Sequence, residues 1–133
     1  MDDRDAVYEV LVRYAAAIDR HDWEAVGHCF AEHARATYAG TAVGPGRPAI
    51  VDFLRGATNS IASTHLVGGV SIQVDGDRAS TEQTALAFHH LPDGKVRFRG
   101  LRYSDRMERL GDEWQIVERV HQPAWTAEAD AVG

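Results

Sequence analysis

The sequence predicts an α+β fold with helices first and a long-stranded sheet after them. Apolar residues recur at helical spacing through the first part of the chain, and from about residue 62 the pattern changes to alternation. The alternating stretches are long and separated by tight turn sequences, Asp75-Gly76-Asp77, Pro92-Asp93-Gly94 and Gly111-Asp112. Helices before hairpin-linked strands imply helices laid over one face of the sheet. Long strands covered on one face curl. The expected architecture is therefore a cone-shaped, curled antiparallel or mixed β-sheet closed by three N-terminal helices, an α+β roll with an interior.

Residues 3 to 18 form the first predicted helix, with Val7, Val10, Leu11, Tyr14, Ala15 and Ile18 on one face and Asp2, Asp3 and Asp5 at its positive end. Asp19-Arg20-His21 breaks the pattern. Asp22 suits the N-cap of a short second helix carrying Trp23, Val26 and Phe30. Arg35–Tyr38 and Thr41–Val43 read as a short strand pair turned at Ala39-Gly40. After the Gly44-Pro45-Gly46 loop, Pro48 opens a third helix with Ile50, Val51, Phe53 and Leu54 as its apolar face. Four strands follow, at Thr64–Val74, Arg78–His90, Lys95–Arg109 and Glu113–His121. Pro123 is expected to stop the last one. The single domain is expected to span residues 1–126, with 127–133 a mobile tail. No repeat or linker interrupts it.

The chain has 133 residues, 44% hydrophobic and 26% charged, enough for one domain with its own core. A net charge of −6 repels phosphate backbones, so no nucleic-acid partner is expected. The Arg97/Arg99/Arg102/Arg106 cluster reads as an exposed strand face balanced by Asp105 and Glu108. No apolar run is long enough to span a bilayer, and Met1 is followed by Asp2-Asp3-Arg4-Asp5 rather than a signal stretch, so the expectation is a cytoplasmic protein without a membrane partner. Cys29, the one cysteine, lies among Val26 and Phe30 and reads as a small buried hydrophobe. His89 and His90 are adjacent and point to opposite faces of their strand, and His28 and His33 are five apart. With no metal-ligand or nucleotide-loop spacing, neither metal nor organic cofactor is expected.

Several segments carry a resemblance. Tyr14-Ala15-Ala16-Ala17-Ile18-Asp19-Arg20-His21-Asp22-Trp23 resembles the opening helix of the SnoaL-like branch of the nuclear-transport-factor-2-like superfamily, and Ser63-Thr64-His65-Leu66-Val67-Gly68-Gly69 resembles its first long strand. Gly100–Asp105 and Asp112–Arg119 resemble its last two strands. Within that branch the likeness is to scytalone dehydratases and lindane dehydrochlorinases, which use an Asp–His dyad in the cone. The resemblance puts Asp19 and His65 at the dyad and Tyr38 at one of two substrate-polarising tyrosines, with Ile18 at the other. It places Gln83 at the dehydratase's second histidine. Arg119 matches a pocket arginine of the dehydrochlorinase, and Tyr14 replaces its pocket lysine. The implied activity is that of a cofactor-independent lyase or isomerase, dehydratase-like, acting on a small apolar cyclic molecule. A polyketide cyclase, a ketosteroid-isomerase-like enzyme and a non-catalytic apolar-ligand or protein-binding module are the alternatives.

The chemistry suits those residue types. A neutral imidazole is an effective base near pH 7, and a carboxylate on its other nitrogen fixes the tautomer and stabilises the imidazolium. Tyr38 or Tyr14 would hydrogen-bond a developing oxyanion, Gln83 and Tyr103 would contact substrate, and Arg119 would hold a leaving anion or acidic substituent. Each has a plainer reading. Asp19 could be a local turn cap, His65 a satisfied strand histidine, and Tyr38 packing. Arg119 could pair with Glu118 or Glu82 at the surface, and Tyr103 and His121 could be core or rim. Trp23, Trp114 and Trp125 read as structural aromatics. Leu86, Phe88 and Leu101 on the outer sheet face would need cover, so a homodimer through the sheet is expected, with a trimer as the alternative.

Overall fold

The structure is a computed structural model that describes residues 1–59 and 61–132. Helix α1 runs Asp3–Arg20; the Asp2 side chain accepts the Asp5 N–H at its start, and left-handed His21 closes its end. Helix α2 is Trp23–His28, capped by Asp22. Strands β1, Phe30–Tyr38, and β2, Thr41–Val43, come next, followed by α3, Arg47–Thr58, with proline in its first turn. The long strands are β3, Ala62–Asp75; β4, Arg78–His90; β5, Lys95–Leu110; and β6, Glu113–Asp130.

These make one six-stranded sheet in the order β2-β1-β6-β5-β4-β3. It is mixed, because β1 pairs parallel to β6 while every other pair is antiparallel. The sheet does not close on itself. The buried stripe of α1, Val7, Val10, Leu11, Tyr14 and Ile18, packs with Phe30, Ile50, Met107 and Ile116 to fill its concave side. No helix among the described residues is long and apolar enough to cross a membrane.

Four expectations are corrected here. Phe30 does not belong to the second helix; it opens β1, five residues earlier than the predicted strand, because its partner is Ile116 far along the chain. Pro123 does not stop the last strand. Leu101 pairs with Pro123 and Gly100 with Trp125, so a bulge falls at Ala124, beside the residue that lacks an N–H. Beyond it Ala127 to Asp130 pair with Phe98 to Lys95, where a mobile tail was expected; Gly133 lies outside the described residues. Leu101 is buried on the inner face rather than exposed on the outer one, in alternation with Tyr103 and opposite Ala85 of β4.

Candidate functional site

Asp19 lies in the last turn of α1, one residue beyond the buried Ile18, and its carboxylate points to the start of β3. Oδ1 accepts the Ser63 hydroxyl at 2.8 Å, and Oδ2 accepts the His65 backbone N–H at 2.7 Å. Oδ1 also lies 2.7 Å from Nδ1 of His65. Burial alone would raise the pKa of Asp19, but the hydrogen bonds from the His65 ring, the His65 amide and Ser63 outweigh it and hold the carboxyl below its ordinary value. An ionised carboxylate can only accept, so Nδ1 carries the proton, and in the neutral tautomer Nε2 is the bare nitrogen. Nε2 has no hydrogen-bond partner among the described residues. The bonds of Asp19 cross 44 and 46 residues, which is not the pattern of a local turn cap.

His65 lines a hollow of about 160 Å³ between α1, α3 and the inner face of the sheet. Ile18, Phe53, Leu54, Ala87 and Leu101 supply apolar wall, and Tyr14, Tyr38, Tyr103, His89, His121 and Arg99 supply polar groups. The Tyr14 and Tyr38 hydroxyls lie 2.9 Å apart, and burial pushes the pKa of all three tyrosines up. They can therefore donate hydrogen bonds but not act as bases near neutrality. Tyr38 also packs on Phe53 and His121, so it forms wall as well as lining. A larger hollow, about 600 Å³, runs along β3–β5 past Gln73, Arg78, Arg106 and Glu108 and contains none of the residues around His65.

Arg119 is 1% exposed and does not pair at the surface. Its guanidinium grips Asp105 with two bonds of 2.8 and 2.7 Å, and it lies 4.2 Å from the Tyr14 ring centre and 4.3 Å from that of Tyr103. Desolvation opposes its charge, but Asp105 more than compensates and keeps it protonated. Glu118 pairs instead with Arg106, and Glu82 accepts from Ser104. Asp105, read from sequence as a surface counter-charge, is thus the buried partner of Arg119; it alternates with Tyr103 and Met107 on the inner face of β5, and the bulge at Val117 turns Arg119 inward to meet it. Arg119 stands behind Tyr14 and Tyr103 rather than in the lining. Gln83 is buried opposite Tyr103 on β4, also outside the lining, with its Oε1 unpartnered.

The histidine beside His65 is His89, with ring centres 6.1 Å apart, not the position of Gln83. The parity of β4 was the available signal, since Gln83, Ala85, Ala87 and His89 share the buried face while His90 is exposed. His121 lies against Tyr38 and Tyr103, and its Nδ1 is buried without a partner. Burial, aided by neighbouring positive charge, pushes both His89 and His121 down to about 4. Cys29 is fully buried, and desolvation raises its thiol to about 11, which makes it an inert core group.

Three helices against a curled, open six-stranded sheet, enclosing a histidine-lined hollow, define an α+β cone of the nuclear-transport-factor-2-like kind. The chain belongs to the SnoaL-like domain family, whose model matches residues 1–120. It is 31% identical over 124 residues to the uncharacterized protein Rv2910c of Mycobacterium tuberculosis, covering 89% of this chain and 83% of that one. Among solved structures it is similar to hexachlorocyclohexane dehydrochlorinase LinA-type3 from Novosphingobium barchaimii LL02, with a TM-score of 0.86, 14% identity, and 97% and 91% of the two chains covered. It is also similar to a scytalone dehydratase-like protein from Novosphingobium aromaticivorans DSM 12444, with a TM-score of 0.83, 20% identity, and coverage of 98% and 93%. At those identities the two structures show the shared fold.

Two predictions follow from the charges. Replacing Asp105 by Ala strands a buried guanidinium and should cost about 3–5 kcal/mol in urea unfolding, whereas replacing Asp105 by Leu together with Arg119 by Met should cost much less. Equal losses would show that the pair is not the unit. The second concerns pH. His89 and His121 titrate near 4 when folded but near 6.5 when unfolded, so between those values the unfolded chain binds more protons. Their stabilising effect is complete above about pH 6.5 and is lost as pH falls through 4, by at most about 3 kcal/mol per ring. Asp19, with its lowered folded pKa, acts in the same direction at still lower pH. Unfolding midpoints should drop from pH 7 to pH 4.5, and His121→Gln should flatten that slope.

Proposed function

We propose that the protein is a cofactor-independent lyase or isomerase in which His65 removes a carbon-bound proton from a small cyclic substrate held in the hollow. The observation that carries this is the 2.7 Å bond between Asp19 and Nδ1 of His65, with the ring lining a mostly apolar cavity. Nε2 takes the proton, and the electrons of the broken C–H bond move onto an adjacent carbonyl as an enolate. The Tyr38 or Tyr14 hydroxyl donates to that oxygen, and Asp19 stabilises the imidazolium. When a β-hydroxyl then departs with its bonding pair, the imidazolium returns the proton to it as water. A halide leaves without that proton. Return of the proton to another carbon gives isomerisation, and attack on an internal carbonyl gives cyclisation. Elimination is favoured by the names of the two solved relatives, a dehydrochlorinase and a dehydratase-like protein. Arg119 acts indirectly, by holding Tyr14 and Tyr103 in place.

We also propose that the outer face of the sheet is covered by a second copy. Leu66, Leu86, Gly100 and Trp125 align across four strands, and Leu66 and Trp125 are each 52% exposed. A side chain at residue 100 would collide with the Trp125 indole, which lies flat over that glycine.

For the chemistry, proton–deuterium exchange of cyclic β-hydroxyketones in D₂O should be catalysed by the wild type. It should fall by at least about 100-fold in Asp19→Asn and in His65→Gln. Exchange at the wild-type rate in folded variants would remove the dyad from the mechanism. For the assembly, light scattering should give a dimer, with Leu86→Arg plus Trp125→Arg shifting it to monomer; a monomeric wild type would contradict the covered face.

A further inference from the structure

Arg99 lines the same hollow as His65 and has no ion pair among the described residues. Its cross-strand neighbours are Ala87 on β4 and Thr126 on β6, neither of them charged. The other arginines of β5 and β6 are treated differently. Arg97 pairs with Glu128, Arg106 with Glu118, Arg109 with Asp77 and Asp3, and Arg119 with Asp105, while Arg102 is exposed on the outer face. Arg99 alone among these is partly buried with neither an ion pair nor a hydrogen bond among the described residues. The Asp19 carboxylate is occupied by His65 and Ser63.

We propose that Arg99 is an anion-recognition residue and that the ligand of the hollow is a single ring bearing a carboxylate or an equivalent anion. This rests on the reading of the hollow as the substrate site and adds the substrate's charge to it. A guanidinium inside an apolar wall binds a carboxylate more strongly than one in water, because the competing solvent is gone. A second group supports the same ligand. His121 lines the hollow, is buried, and leaves Nδ1 without a partner. Burial, aided by the positive charge of Arg99 and Arg119, keeps this ring neutral, and in the tautomer with its proton on Nδ1 it offers an N–H to an acceptor without adding a charge. The volume fits as well. A hollow of about 160 Å³ is close to the engineered cavities of about 150 Å³ that hold benzene, so one ring fills it and the substituent must reach the polar rim.

Benzoate and benzamide are matched probes, alike in shape and different in charge. Isothermal titration of the full chain at pH 7 should show benzoate bound at least about tenfold more tightly than benzamide. Arg99→Gln should erase that difference while keeping benzamide affinity within about twofold of wild type. Arg99→Lys should restore part of it, and Arg102→Gln, on the exposed face, should leave it intact. The proposal is overturned by equal binding of the two probes to the wild type, by a preference that survives Arg99→Gln, or by benzoate failing to saturate below about 10 mM. If Arg99→Gln does not fold, a preference in Arg99→Lys equal to or greater than wild type counts against it, and a reduced one supports it. The dyad is tested separately: Asp19→Asn should keep the benzoate preference while losing proton exchange. Loss of preference with exchange intact therefore removes Arg99 alone, and exchange indifferent to Asp19 removes the dyad alone.

Discussion

A single carboxylate joins the helical layer to the sheet and orients the one candidate base. Asp19 reaches from the last turn of α1 to Ser63 and to both the amide and the ring of His65. Three hydrogen bonds to one charged group are stronger than three neutral ones, and here they span the boundary between layers. The bond to the His65 amide places the backbone of β3, and the bond to its ring sets the tautomer. Position and reactivity of the imidazole are therefore not independent. A change that loosens α1 from β3 also frees the ring to turn. The left-handed His21 that ends α1 contributes, since its ring nitrogen lies 3.0 Å from the Ile61 carbonyl just before β3.

Behind that contact sits a second charged unit. Arg119 and Asp105 are both almost wholly buried, and such a pair rarely adds net stability over well-packed apolar residues. Its position suggests what it does contribute. The guanidinium lies against Tyr14 and Tyr103, two of the three tyrosines that line the hollow, and the Tyr14 hydroxyl meets that of Tyr38. A planar cation between two rings fixes their tilt, and so the direction of their hydroxyls. The cost of burying the charge is offset by organising three donors around one cavity.

The fold was legible because period and turn chemistry agree along the chain. Helical spacing through Ile18 and Leu54, alternation after residue 62 and glycine-bearing turns gave the elements and their order. Illegible were features set by pairing with distant segments. Phe30 looks helical in its local context and becomes a strand only because Ile116 lies beside it. Pro123 looks like a terminator, yet a bulge carries the strand past it. A bulge also decides side-chain parity on β6. Leu101 and Asp105 were assigned outward, yet they alternate with Tyr103 on the inner face of β5, and the bulge at Val117 turns Arg119 inward to meet Asp105. Asp19 and His65 were found because a resemblance matched both. His89 was visible as a strand residue on the face opposite His90, but nothing local said that this face looked onto His65.

Those parity errors have an electrostatic consequence. Read from sequence, the arginines of β5 form an external stripe on an acidic protein, balanced and inert. In the fold the stripe divides: Arg102 and Arg106 remain outside, while Arg99 enters the hollow and Arg119 of β6 lies behind it. One of the two inner cations is matched by Asp105, and the other is not. In a chain of net charge −6 the hollow thus has an arginine without an ion pair among the described residues on its lining, Arg99, and the ionised Asp19 carboxylate behind His65. In the proposed reaction an enolate forming near Arg99 would meet a fixed cation in a medium that screens it poorly. Burial, aided by neighbouring positive charge, keeps His89 and His121 neutral near pH 7. In the proposed reaction the base is the one imidazole lining the hollow, among the described residues, that has a carboxylate of its own, and that bond sets it apart from the other two.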